Sequence, residues 1–216
     1  LQDSGKIWTF SLNRPSGTAN SMFAITHQEY KHILELFIKV NPIYTAPKQI
    51  REPYRYIEPN LRRQLTLLED GQPKYEYTLM ALLLDAFTDG KYEDIFGPYS
   101  DCVAYVPTSF NKEIDILLTH SNPIDKDRIS AFTIIEVKNK VFDEGGLQQL
   151  LQYEDWFLKK RVNGDRSMIR TVAIAKQYSS PVIDYLEKRV KYEGKEILLL
   201  TYENNENGLK LRSISS

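Results

Sequence analysis

The stretch from Phe132 to Trp156, FTIIEVKNKVFDEGGLQQLLQYEDW, constrains the fold more than any other part of the chain. Its first half has the pattern of a strand whose central run is apolar on both faces. A strand of this kind is typical of a sheet that is covered on both sides. The second half has the apolar spacing of an amphipathic helix. The chain is therefore predicted to bury a central strand between two layers.

The remaining pattern from about residue 73 onwards predicts the order α-β-β-β-α-β-α-β, which is a mixed sheet with helices around it. We expect an α/β (α+β) fold of this kind. Helices are predicted over 74–90, 146–161 and 181–194. Strands are predicted over 100–107, 112–120, 130–140, 169–176 and 195–203.

Residues 1–72 are less regular and are predicted to form an N-terminal extension for recognition or dimerisation, with the main domain over 73–216. A helix is expected over 26–40, an extended proline-rich arm over 42–59, and a short helix over 60–71 that Gly71 closes. The first helix carries an apolar stripe formed by Tyr30, Ile33, Leu34 and Phe37.

Composition excludes several classes of protein. With 42% hydrophobic and 26% charged residues, the chain has the balance of a folded globular domain. No apolar run is long enough to cross a membrane, and the first residues lack the pattern of a signal peptide. The single cysteine, Cys102, excludes an internal disulfide and favours a reducing, cytoplasmic location. A first residue other than Met, Leu1, suggests a piece of a longer protein.

The second predicted strand, within EIDILL, places acids beside core positions. Because alternate side chains of a strand share a face, two sets are expected. The first comprises Ile114, Ile116 and Leu118, and the second comprises Glu113, Asp115 and Leu117. An acid on a face that otherwise belongs to the core is costly unless it is paired or binds a metal.

The third strand repeats this feature, since Glu136 and Lys138 share one face and Val137 points to the other. An Asp and a Glu from neighbouring strands, with a carbonyl between them, form a hard oxygen site suited to Mg²⁺. A lysine beside such a site can hold an attacking water or stabilise charge on a phosphate. The following helix places Gln149 and Tyr153 one turn apart, where they could overhang the site.

Taken in order, Glu113-Ile114-Asp115, then Glu136-Val137-Lys138, then Gln149-Leu-Leu-Gln-Tyr153 resemble the motifs of the PD-(D/E)XK nuclease superfamily. The last motif is similar to the Q-x-x-x-Y extension of its RecB-like exonuclease branch. The set is also similar to the nuclease module of archaeal and actinobacterial endonucleases that act on branched or mismatched DNA. The resemblance covers residues 73–176 and implies a restriction-endonuclease-like core.

The resemblance implies that Asp115 and Glu136 bind Mg²⁺ or Mn²⁺ with help from the Val137 carbonyl, and that Lys138 is the catalytic amine. Many members carry a further acid on the helix before the first strand, and Glu76 stands at that position. The Pro of the first motif is absent, with Ile114 in its place. The implied function is a metal-dependent nuclease, with DNA as substrate, endonuclease action and a possible homodimer or partner domain.

Simpler interpretations exist for each residue. Glu136 and Lys138 can form a surface ion pair of little energetic value, and Glu76 can be a first-turn acid favoured by the helix dipole. Gln149 and Tyr153 can be a half-buried polar pair that caps the sheet. Glu113 is expected at the rim of the site. The three histidines are expected to be structural or exposed; they are His27, His32 and His120.

Phosphate-binding candidates lie in two basic groups. One group is in the arm, where tyrosines that can stack on bases interleave with it; it comprises Lys48, Arg51, Arg55, Arg62 and Arg63, with Tyr44, Tyr54 and Tyr56. The other follows the Gln/Tyr helix and comprises Lys159, Lys160 and Arg161. A solvated surface strap is the alternative for the arm. For the whole chain, the alternatives are an inactive nuclease fold used as a binding module, and an unrelated fold with coincidental charges.

Overall fold

The computed structural model describes residues 27–40, 67–205 and 208–214. The proline-rich arm, with its basic and aromatic residues, lies outside this part of the chain. The short helix predicted over 60–71 can be checked only at its end, and there the prediction is wrong. Leu67 forms an isolated β-bridge with Pro73 around a turn. This turn is tied to the strand that contains Asn204 by a hydrogen bond from Gln72 Nε2 to the Asn204 carbonyl.

A six-stranded mixed sheet forms the centre of the described domain, with its strands in the order in which they occur along the chain. The first three strands are antiparallel, the third, fourth and fifth are parallel, and the sixth is antiparallel to the fifth. The strands are β1 (Asp101–Pro107), β2 (Glu113–Ser121), β3 (Ile129–Phe142), β4 (Ile169–Tyr178), β5 (Leu198–Asn205) and β6 (Gly208–Ser213).

Helices flank the sheet, so the predicted α/β class with a mixed sheet is confirmed. The helices are α1 (His27–Val40), α2 (Glu76–Thr88), α3 (Glu93–Phe96), α4 (Glu144–Lys160) and α5 (Ser180–Glu193). Each element predicted from residue 73 onwards is present with slightly shifted ends. The short α3, a 3₁₀ turn at Arg166–Met168 and β6 were not predicted.

Each face of the sheet carries its own apolar core, as the doubly apolar pattern of β3 predicts. On one face, β3 contributes Phe132 and Ile134 to a cluster with α4 and α5. On the other face, Ile135 and Val137 pack with α2 and α3. At the end of β3, Asp143 accepts a hydrogen bond from the Gly146 N–H at 3.0 Å and caps α4.

Helix α1 presents its apolar stripe differently from a core helix, because Tyr30, Leu34 and Phe37 are all exposed. It contacts the domain through polar groups, with the His27 N–H bonded to Asp101 and Lys31 near Asp127. Among the described helices, none is long and apolar enough to span a membrane.

Regular pairing breaks at one level of the sheet, across three strands. In β1, Tyr105 adopts a left-handed backbone with φ of 53°. Pairing of β2 with β3 begins only at Ile116, so the first residues of β2 diverge from β3. In β3 the register with β4 shifts between Lys138 and Val141. The ladder between β2 and β3 is therefore interrupted at the level of Asp115.

This break overturns one prediction about β2. Ile114 was expected on the face of Ile116 and Leu118, yet it packs in the other core cluster, with Leu117. Strict alternation holds only while the strand keeps its regular twist and pairing. Because β2 leaves β3 at Asp115, the side chains before and after this residue change faces.

Candidate active site

Asp115 lies where β2 leaves β3, and its side chain replaces the missing ladder bond. Its Oδ2 accepts a hydrogen bond from the backbone N–H of Val137 at 2.7 Å. A backbone donor that would otherwise lose its partner is therefore satisfied by a carboxylate. The carboxyl of Asp115 is thereby held beside Glu136, the residue that precedes Val137.

Glu136 is fully buried, with 0% of its surface exposed. Its Oε1 accepts a hydrogen bond from Lys138 Nζ at 2.8 Å. Its Oε2 is buried and accepts no hydrogen bond from an N–H or O–H donor of the described residues. The carboxyl of Asp115 lies within hydrogen-bond reach of the Glu136 carboxyl, so the two acids can share a proton when no cation is bound. A buried carboxylate oxygen without a donor is costly, and native structures rarely tolerate one without a reason.

Lys138 brings a positive charge to the Glu136 carboxyl. Its Nζ donates to Glu136 Oε1 and also to the Val137 carbonyl at 3.1 Å. Glu76 at the start of α2 lies 3.7 Å from the same Nζ, measured to its Oε2. Charged residues from β2, β3 and α2 thus lie close together. The alternative of an unrelated fold with coincidental charges does not predict this proximity.

Burial and mutual repulsion perturb the pKa of the site acids. Burial raises the pKa of Asp115, against the opposing effects of the Val137 N–H and of Lys138. Burial also raises the pKa of Glu136, and the charge of Asp115 raises it further. For Lys138, burial lowers the pKa, but Glu136 outweighs this effect and the net pKa is raised. The raised pKa values mean that Asp115 and Glu136 retain protons to a higher pH than exposed carboxyls do.

The donor set fits a small, hard divalent cation. Asp115 and Glu136 supply carboxylate oxygens, Glu136 Oε2 among them, and the Val137 carbonyl is adjacent. Oxygen ligands of this kind suit Mg²⁺ or Mn²⁺. Within the described ranges, no group of three or more His, Cys, Asp and Glu side chains forms a ready-made metal cage. A cation here would depend on two carboxylates and a backbone carbonyl.

Gln149 and Tyr153 lie on one face of α4, as predicted, and form a hydrogen-bonded chain. Gln149 Nε2 donates to the Tyr153 hydroxyl at 2.6 Å, and this hydroxyl donates to the Glu113 carbonyl at 2.5 Å. Tyr153 is fully buried, whereas Gln149 is partly exposed. The pair therefore ties α4 to the backbone of β2, two residues before Asp115.

Other predicted residues lie apart from the carboxylates or have structural contacts. Lys159 is ten residues beyond Gln149 on α4, about 15 Å along the helix, and pairs with Asp155. His120 is buried, and its Nε2 lies 2.8 Å from Thr133 Oγ1, which agrees with a structural role. Burial raises the pKa of Cys102 to about 12, so its thiol stays protonated.

One residue at the site was not predicted. Tyr105 on β1 lies near enough to Asp115, Glu76 and Glu113 for their charges to raise its pKa, after a larger effect of burial. It belongs to a strand-like apolar run, DCVAYVP, in which it looks like any β-forming aromatic. Only the backbone break reveals its position, and nothing in the sequence signals that break.

A comparison with protein-family models and a comparison with curated proteins each gave no match. Solved structures that align with part of this chain include a repair endonuclease from Pyrococcus abyssi, at 18% identity and a TM-score of 0.35 over 52% of this chain. An EndoMS–dsDNA complex aligns over 56% of this chain at 17% identity and a TM-score of 0.41. EndoMS in apo form aligns over 52% at 16% identity and a TM-score of 0.32.

These superpositions are partial on both sides. The aligned part covers 45% of the Pyrococcus abyssi chain and 44% of each EndoMS chain, so this chain spans less than half of their length. Conclusions about function therefore depend on the residues of this chain.

Proposed function

We propose that this protein is a metal-dependent nuclease of the PD-(D/E)XK superfamily that hydrolyses phosphodiester bonds in DNA as an endonuclease. One observation carries the proposal. A buried glutamate, Glu136, has one oxygen bonded to Lys138 and the other without an N–H or O–H donor, beside the carboxyl of Asp115. Without a cation, this arrangement lowers the stability of the folded protein. With a cation, the same oxygens can act as ligands of a metal ion that activates water for hydrolysis.

Asp115, Glu136 and the Val137 carbonyl would hold Mg²⁺ or Mn²⁺. The bound cation would supply an activated water at neutral pH and offset negative charge on the phosphate. The protein's own part is to hold these oxygens in place: the Val137 N–H fixes Asp115, and β3 fixes Glu136 in the buried sheet. Water is kept from the back of the site by the apolar cores on both faces.

Lys138 would neutralise charge that develops on the phosphate and orient the water. Its Nζ already lies in the cluster, in contact with Glu136 and within 3.7 Å of Glu76. Because these contacts hold the Lys138 ammonium group in place, it needs little reorganisation during the reaction. Fixed charges of this kind are the basis of electrostatic catalysis. Glu76 would act from the rim as a further acid that holds Lys138.

Gln149 and Tyr153 support the site by position in this proposal. Tyr153 is buried, and its hydroxyl holds the Glu113 carbonyl, so the pair would set where β2 presents Asp115. Gln149 is partly exposed and could also face the substrate. Residues 1–72 would form a separate recognition or dimerisation segment beside the nuclease domain, 73–216.

A cleavage assay tests the proposal. Purified protein would be incubated with supercoiled, linear, single-stranded and branched DNA in Mg²⁺, in Mn²⁺ and in EDTA. Asp115→Asn and Lys138→Ala test the site. Asp184→Asn and Lys188→Ala, exposed on α5, are matched controls for the same changes in charge.

The expected result is cleavage by the parent and by both controls, with loss of cleavage in EDTA and in both site variants. The preferred substrate would separate endonuclease from exonuclease action. Cleavage that persists in Asp115→Asn and Lys138→Ala would contradict the site assignment. DNA binding without cleavage by the parent under all conditions would instead favour the binding-module alternative.

A further inference from the structure

Tyr105 occupies the position on β1 that faces Asp115. Its neighbours pair regularly with β2, since Ala104 lies opposite Ile116 and Val106 lies opposite Ile114. Tyr105 itself is skipped in this ladder. Directly opposed residues of antiparallel strands have their side chains within contact range. The break in β1 therefore occurs at the level of the proposed metal site.

The backbone of Tyr105 is unusual for its residue type. Three non-glycine residues of the described chain have a positive φ: Asn111 at 59°, Asn163 at 51° and Tyr105 at 53°. The two asparagines lie in connections, where their short side chains tolerate this conformation. An aromatic residue inside a strand has no such tolerance of a positive φ. Such strain persists where the surrounding structure enforces it, and it is concentrated at functional sites.

The unusual φ changes which side chains of β1 reach the core. Val103 and Val106 both pack in the cluster on the α4 side, although they are three positions apart rather than two or four. The register with β2 is the same on both sides of Tyr105, so its positive φ changes the face that β1 presents without adding a residue, and Tyr105 lies outside both core clusters. It is 47% exposed as a result. The aromatic side chain of Tyr105 is therefore about half exposed, at the level of Asp115 in the sheet, instead of completing an apolar face.

The hydroxyl group of Tyr105 is neutral near pH 7, because the pKa of a tyrosine hydroxyl is ordinarily about 10. A neutral O–H can donate a hydrogen bond to an anion without adding negative charge to the cluster. Donors to charged oxygens form stronger hydrogen bonds than neutral pairs do. A phosphate that approaches these acids needs such donors.

We propose that Tyr105 is a substrate-contacting residue, whose hydroxyl donates a hydrogen bond to a phosphate oxygen of the DNA strand held at Asp115 and Glu136. The inference rests on the proposed nuclease function and adds a contact that lies outside its sequence motifs. The positive φ of Tyr105 turns its side chain out of the core, so that the hydroxyl group is available to the substrate. Removal of the Tyr105 hydroxyl should therefore weaken DNA binding without lowering the stability of the folded protein.

Two variants separate the hydroxyl from the backbone strain. Tyr105→Phe removes the hydroxyl and keeps the ring, and Tyr105→Gly removes the side chain and accepts the positive φ. Binding of labelled DNA would be followed by fluorescence anisotropy with Ca²⁺ in place of Mg²⁺. Cleavage would be followed in Mg²⁺, and the Tm by thermal unfolding. Asn111→Gly is the control for relief of a positive φ away from the site.

We expect Tyr105→Phe to raise the Kd and KM for DNA about tenfold with the Tm unchanged, the effect of one hydrogen bond to a charged group. Tyr105→Gly is expected to weaken binding at least as much, with a Tm that is unchanged or higher by about 2–4 °C. Asn111→Gly should alter neither Kd nor KM.

Tyr105→Phe decides the question. If it binds and cuts DNA like a parent protein that is itself active, the hydroxyl makes no contact and only this inference fails. If the parent neither binds nor cuts DNA, the proposed function fails and this inference fails with it. A fall in Tm in Tyr105→Gly together with normal binding by Tyr105→Phe would make Tyr105 a structural residue.

Discussion

Two buried glutamates of this protein, Glu136 and Glu154, occupy opposite kinds of environment. Glu136 on β3 is 0% exposed and Glu154 on α4 is 6% exposed. Glu154 Oε1 accepts hydrogen bonds from Arg166 and from Arg189, the latter at 2.6 Å, and Oε2 accepts from Thr171 Oγ1 at 3.0 Å. Both of its oxygens are satisfied.

Glu136, in contrast, has one oxygen bonded to Lys138 and one that accepts no hydrogen bond from an N–H or O–H donor of the described residues, and a second carboxyl lies beside it. A satisfied buried acid joins elements of the fold, here α4, α5, β4 and the 3₁₀ turn. An unsatisfied acid next to another acid lowers stability and is retained where a ligand compensates for it. The comparison separates a structural network from a candidate site without reference to sequence motifs.

The largest expected effect is on stability at Glu154. Glu154→Ala would leave Arg189, itself 5% exposed, as a buried charge without its carboxylate. The free energy of unfolding should fall by about 3–5 kcal/mol, as measured by urea denaturation. Glu187→Ala, exposed on the neighbouring helix α5, is the control and should change it by less than about 0.5 kcal/mol. A small loss at Glu154 would remove the distinction between the two acids.

Glu136→Gln should have the opposite sign for stability. The amide oxygen can still accept a hydrogen bond from Lys138, while the repulsion from Asp115 is removed. We expect the free energy of unfolding in EDTA to stay equal or to rise by about 1 kcal/mol.

Mg²⁺ or Mn²⁺ is expected to raise the Tm of the parent protein, because a ligand that binds only the folded state stabilises it, and the same variant should lose this rise. The readout is thermal unfolding across a titration of each cation. A strongly destabilised Glu136→Gln that keeps its response to the cation would show that Glu136 is structural, like Glu154.

Tyr153→Phe tests how the structural network supports the site, since Tyr153 precedes Glu154 on α4. The change leaves the Glu113 carbonyl and Gln149 without their shared partner. A loss of about 1–2 kcal/mol in the free energy of unfolding is expected, with a fall in the rate of DNA cleavage because Asp115 is less well held. Tyr185→Phe, on the exposed side of α5, is the control. Unchanged cleavage would separate the Gln/Tyr pair from the site.

The smallest expected loss of stability lies at the junction between β3 and α4. Asp143→Ala removes the acceptor for the Gly146 N–H at the first turn of α4. Its cost should be about 1 kcal/mol, measured by urea denaturation, with faster hydrogen exchange at that turn. Helix α4 carries Glu154 of the structural network, so the variant should have a lower free energy of unfolding. The rise in Tm expected with Mg²⁺ should be retained. Loss of that response would show that the cap also holds Glu136.

Much of the fold and the composition of the site could be predicted from local patterns. Three features depend only on residues that are close together in the sequence. They are the apolar character of both faces of β3, the cap of α4 at Asp143, and the order of strands and helices after residue 73. The strand β6 was missed because its alternation, GLKLRS, is short and gains stability only by pairing with β5.

What the sequence by itself determined is the class of fold, the succession of elements from α2 to β5, and the acids and amine that meet at Asp115, Glu136 and Lys138. These follow from side-chain periodicity and residue type. Only the tertiary structure decided that Ile114 changes face, that Tyr153 bonds the Glu113 carbonyl, and that Tyr105 takes a positive φ. Each of these depends on where β2 leaves β3, and such a break results from competition among packing contacts that lie far apart in the chain.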